Sequence, residues 1–89
     1  MKIEELLFYL KQGREIECHF NDIPYFIQPD YANNSLNTSS YKVILYRCEK
    51  DQKDKRIFCG TPEELLNYNF DGNYQLKNNW NLFVVDYIL

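Results

Sequence analysis

The chain has 89 residues, 45% apolar and 26% charged, with ten Lys and Arg against thirteen Asp and Glu. That length accommodates one domain with one core layer, and the apolar fraction excludes disorder along most of it. The net charge of −3 argues against a dedicated nucleic-acid binder, which carries a basic excess, and is too mild for a DNA mimic.

Met1-Lys2-Ile3-Glu4-Glu5 lacks a signal-peptide layout, since acids precede a short amphipathic stretch. No apolar run approaches the roughly 20 residues of a membrane span. Cys18, Cys48 and Cys59 are odd in number, with no C-x-x-C spacing. These features lead us to expect a soluble cytoplasmic protein with reduced thiols and no membrane partner. Asn (ten) and Tyr (eight) are abundant, and Lys outnumbers Arg seven to three. An AT-rich genome produces this bias, and so does a Tyr-rich binding surface.

Ile3, Leu6, Leu7 and Leu10 fall at the spacing of a helix lying on a core, so a helix is expected over 3–12. Glu4 and Glu5 in the first turn and Lys11 in the last suit its dipole, and Gly13 permits a left-handed exit. Glu15 to Phe20 alternates strictly, placing Ile16, Cys18 and Phe20 on one face and Glu15, Glu17 and His19 on the other. Asn21-Asp22 reads as a two-residue hairpin turn, because both residue types tolerate positive φ. Ile23 to Gln28 returns as a second strand, with Pro24 marking a strand start or an edge.

Residues 29–40 are polar and aperiodic and read as a loop. Tyr41 to Arg47 is a third strand, residues 49–55 a charged hairpin tip, and Arg56 to Cys59 a fourth strand. Gly60-Thr61-Pro62-Glu63-Glu64 is the sharpest local signal: an N-cap Thr61, a Pro62 at the first helical position and a Glu64 that closes a capping box. A short helix follows with Leu65 and Leu66 inward. Asp71-Gly72 is a turn, and residues 73–80 suit one or two helical turns carrying Leu76 and Trp80 to the core. Leu82 to Leu89 is the last strand. It is apolar on both faces except at Asp86, so it is expected to be central or covered by a partner, because an uncovered edge of this composition would aggregate.

His19 is the only histidine, flanked in strand register by Glu15 and Glu17. A carboxylate beside imidazole can act as a general-base pair, but polar filler on a solvated strand face explains the same residues. Cys18 and His19 point to opposite faces and cannot pair directly. In the third hairpin Cys59 falls opposite about Ile44, too far from Cys48 for a disulfide or a shared metal. Cys18 and Cys59 read as small buried apolar residues. The three glycines are isolated, with capping or turn roles, so no phosphate loop is present. We therefore expect no catalytic residue, metal or cofactor.

Tyr25, Phe26, Tyr41, Tyr46 and Phe58 lie on neighbouring strands. Core packing accounts for most, but Phe26 and Tyr46 alternate with residues that already look inward, and so are expected outside. Outward aromatics can anchor a protein or stack on single-stranded bases.

Two runs carry a family resemblance. Leu6-Leu7 through Gly13-Arg14-Glu15-Ile16-Glu17 and its hairpin form the first; Thr61-Pro62-Glu63-Glu64-Leu65-Leu66, Asp71-Gly72, Leu76 and Trp80 form the second. Together they resemble small uncharacterised α+β proteins of low-GC Gram-positive bacteria and their phages. The chain departs from that pattern in its Asn21-Asp22 turn and its long 29–40 loop. The resemblance implies a mobile-element setting, where small proteins block host defence enzymes by binding them. Anti-CRISPR proteins are one such group.

The expected fold is α+β: an N-terminal helix packed on a mainly antiparallel sheet of four to five strands, with a short helical insertion before the last strand. The expected function is a non-catalytic protein-binding module, in its most concrete form an inhibitor of a bacterial defence complex. Phe26, Tyr31, Tyr46, Lys50, Lys53 and Lys55 are its candidate contacts. The alternatives are a single-stranded nucleic-acid binder using the outward aromatics, and a homodimer whose last strand pairs across a two-fold axis.

Overall fold

The structure, a computed structural model, describes residues 1–32, 41–48, 54–70 and 72–89. Helix α1 (Ile3–Lys11) leads into the hairpin β1 (Ile16–Phe20) and β2 (Ile23–Pro29), then β3 (Val43–Arg47) and β4 (Lys55–Gly60). Next come α2 (Pro62–Leu66), the two-residue strands β5 (Asn69–Phe70) and β6 (Tyr74–Gln75), and α3 (Leu76–Asn79). A 3-10 turn (Trp80–Leu82) and β7 (Val84–Ile88) complete the order. This is the expected α+β fold, with the short helical segment set before the last strand.

Five strands form one sheet in the order β4-β3-β2-β1-β7, and every neighbouring pair is antiparallel. Local chemistry sets much of it. The Asn21-Asp22 turn holds both residues at positive φ (51° and 61°), the geometry that matches strand twist in a two-residue hairpin. Gly13 leaves α1 at φ +80°. The Thr61 hydroxyl accepts from the Glu64 backbone N–H, and the Glu64 carboxylate accepts from the Thr61 N–H at 2.9 Å, so two N–H groups at the start of α2 are satisfied. Cys59 faces Ile44 as the hairpin count predicts.

The core sits on one side of the sheet. Ile16, Cys18 and Phe20 from β1, Tyr25 and Ile27 from β2, and Val43 and Leu45 from β3 cluster with Leu6, Leu10, Leu65 and Leu76 of the three helices. Phe70 anchors the small hairpin into this layer, with ring centroids 5.2 Å from Tyr25, 5.3 Å from Tyr68 and 5.0 Å from Phe83. Trp80 is half-buried against the same cluster and donates its indole N–H to the Met1 carbonyl at 2.9 Å. Burial pushes the Cys18 thiol up to about 12, with the nearby Asp86 and Cys48 adding to the shift.

One expectation narrows and one needs correction. The last strand is not central: β7 pairs only with β1 and forms one edge of the sheet. Cys59 is half-buried rather than fully inside, and its thiol donates to the buried Asp30 carboxylate at 3.6 Å. Pro24 marks the start of β2, an internal strand. Asp71 of the expected turn lies outside the described residues; Gly72 beside it takes φ +96°. Among the described residues, no helix is long and apolar enough to cross a membrane.

Candidate functional site

All three helices pack on one face of the sheet, and among the described residues the other face is carried by the strands alone. Strand alternation sends the intervening residues there. On β1 these are Glu17 and His19, between buried Ile16, Cys18 and Phe20. On β2 they are Phe26 and Gln28, between buried Tyr25, Ile27 and Pro29.

Register lines these side chains into a row across the whole sheet. Glu17 faces Tyr87 of β7 on one side and Phe26 of β2 on the other. Phe26 in turn faces Tyr46 of β3, and Tyr46 faces Arg56 of β4. Phe26 and Tyr46 are thus directly opposed on neighbouring strands. Gln28, Ile44 and Cys59 form a parallel row. Ile44 is only 5% exposed although it lies outside the helix-side cluster. A third row runs from Val84 through His19 to Pro24.

The face is polarised. Glu17 and Asp86 lie at the β1–β7 end and Arg56 at the β3–β4 end, whereas Arg47 and Lys55, opposite each other and in register with buried Tyr25, fall on the helix side. His19 Nδ1 meets both carboxylate oxygens of Asp86 at 3.0 Å. The sequence suggested Glu15 or Glu17 as partners of His19; the structure supplies Asp86 instead, from a strand distant in the chain. This pair is about two-fifths exposed on each side, so it orients the two strands and contributes little stability.

Of the candidate contacts, Phe26 and Tyr46 are cross-strand neighbours at the centre of this face, both half-buried. Lys55 is exposed at the β4 edge. Tyr31 is 63% exposed and donates its hydroxyl to Glu15 at 2.8 Å, placing it beyond the β2 end of the face. Lys50 and Lys53 lie outside the described residues. The other aromatics divide as follows: Tyr25 is buried at 2%, and Tyr41 and Phe58 pack against the helix-side cluster.

The sequence marks the last strand as apolar on both faces but not its place at the sheet edge. Leu82, Val84, Tyr87 and Leu89 are 48%, 50%, 64% and 60% exposed. The unbroken apolar run from Leu82 to Val85 is the sequence signal of this surface, and that run calls for either a central position or a covering partner. A hollow of about 470 Å³ opens beside the start of β7, lined by Met1, Trp80, Asn81, Phe83, Val84 and Val85. Among the described residues, no group of three or more His, Cys, Asp or Glu converges as metal ligands would.

Compared with sequence families, curated proteins and solved structures, the chain matches none.

Proposed function

We propose that the chain is a non-catalytic protein-binding module whose contact surface is the helix-free face of its sheet, centred on Phe26 and Tyr46. The observation that carries this reading is the cross-strand row Tyr87–Glu17–Phe26–Tyr46–Arg56. Two adjacent aromatics, Phe26 and Tyr46, flanked by Glu17 and Arg56, have the composition of a protein interface: anchoring rings with charged groups beside them. In the mobile-element setting that the sequence resemblance implies, such a module acts as an inhibitor of a bacterial defence complex. Blocking an enzyme needs only a complementary surface, which a chain of this size can supply.

A protein partner suits the face better than single-stranded nucleic acid. Glu17 stands within the row between two aromatics, and Asp86 lies beside it, placing negative charge where the phosphates of stacked bases would run.

The test is affinity capture by the tagged protein from a bacterial lysate treated with nuclease, alongside a Phe26→Thr/Tyr46→Thr variant that keeps strand propensity and removes both rings. A protein retained by the wild type and lost by the variant supports the reading. Capture of nucleic acid alone, or of a partner indifferent to the variant, contradicts it.

A further inference from the structure

The two edges of the sheet are built differently. The β4 edge carries Lys55 and Arg56, both exposed, and exposed charge is a common means of blocking edge-to-edge pairing. The β7 edge exposes Val84, Tyr87 and Leu89, with Leu82 just before it. Its one charge, Asp86, is held by His19 of its own sheet at 3.0 Å. These four side chains expose on the order of 400 Å² of surface, as large as the biggest apolar patch on a typical monomer. That is about half of the ~800 Å² per partner in a standard interface, and main-chain pairing along a strand edge would extend it. Phe8, 59% exposed on α1, is by contrast an isolated apolar residue of the ordinary kind.

We propose that a second copy of this chain covers the β7 edge, its own β7 running antiparallel about a two-fold axis perpendicular to the sheet. This inference goes beyond the binding function above and does not depend on it. Self-complementarity is the argument. A two-fold interface must offer the same patch to itself, so whatever lies at one end of β7 must fit whatever lies at the other. One end carries the exposed Leu82 and Val84. The other carries the exposed Tyr87 and Leu89.

The bulge in β7 makes the registers agree. Glu17 faces Tyr87 and Cys18 faces Val85, so Asp86 is the extra residue. That insertion leaves Val84 and Tyr87 on the same face, although they are an odd number of residues apart. Pairing centred between Val85 and Asp86 then sets Val84 against the partner's Tyr87 and Leu82 against the partner's Leu89. It also keeps Phe83 and the partner's Ile88 on the helix side. Asp86 falls beside the partner's Val85, not beside its like charge. The result is one continuous sheet with the helix layers of both copies on one face and both aromatic rows on the other.

The test is light scattering coupled to size-exclusion chromatography over about a hundredfold range of concentration. The expected mass rises from that of the 10.8 kDa chain toward twice that value. Val84→Lys and Tyr87→Glu each weaken the dimer at least about tenfold, since each buries a charge against an apolar partner. Mixing the two variants restores dimer, because one copy's lysine then meets the other copy's glutamate; recovery also shows that both variants are folded. A monomer at every concentration overturns the proposal. So does a dimer that neither substitution weakens, or a mixture that stays monomeric.

Discussion

Replacing Phe70 tests whether the small β5–β6 hairpin is locked into the core. Phe70 is 2% exposed and packs edge-on against Tyr25, Tyr68 and Phe83 at 5.0–5.3 Å. Phe70→Leu keeps an apolar side chain but abolishes three ring pairs, each contributing about 0.5–1.5 kcal/mol beyond burial. Adding the lost burial of roughly a methylene or two, about 0.8 kcal/mol each, sets the expected cost at about 2–6 kcal/mol. A domain of 89 residues has a total stability of about 4–13 kcal/mol, so this is a large fraction of it. Urea denaturation followed by circular dichroism measures it, with the slope unchanged and the midpoint lowered. Each kcal/mol corresponds to about 4–8 °C in melting temperature for a domain of this size. Phe8→Leu, on an exposed ring of α1, is the control and should stay within about 0.5 kcal/mol. A Phe70→Leu cost as small as the control would show that the hairpin is not packed as described.

Two further substitutions probe the fold. Above its ordinary value of 9.0 the Cys18 thiol ionises only in the unfolded chain, because burial holds the folded thiol protonated up to about 12. The folded state therefore binds more protons in that window, and stability falls as pH rises from about 9 toward 12. Relative to Cys18→Ala, which lacks the group, the wild type should lose about 1.4 kcal/mol by pH 10; a pH-independent difference would contradict the burial of this thiol. Asp22→Gly should stabilise the β1–β2 hairpin by about 0.5–1 kcal/mol, since Asp22 sits at φ 61° where glycine is unstrained. Destabilisation in thermal melts would mean that the aspartate side chain holds the turn.

What could be read from the sequence was what short-range chemistry decides. The Ile3–Leu10 stripe, Gly13, the Asn21-Asp22 turn and the Thr61–Glu64 capping box each fix backbone geometry within a few residues, and each element formed where they place it. Alternation also assigned faces correctly, which is why Phe26 and Tyr46 were placed outside from their neighbours Tyr25, Ile27 and Leu45. Periodicity does not say which strand lies beside which. The β1–β7 pairing joins opposite ends of the chain, so neither the edge position of β7 nor the His19–Asp86 contact had a local signal. The apolar run at Leu82–Val85 calls for a central position or a covering partner, and only strand order shows that much of it is exposed. Two-residue strands such as β5 and β6 are too short to have a period, which hid the role of Phe70. The Cys59–Asp30 contact similarly joins residues brought together only by the β2–β3–β4 register.

The most direct test of the central claim is a nuclear magnetic resonance titration of the isotopically labelled protein with the partner recovered by capture. The account predicts that perturbed resonances concentrate on the helix-free face, at Glu17, Phe26, Ile44, Tyr46 and Arg56. Perturbations concentrated instead on α1 and α2, with that face unchanged, would contradict it.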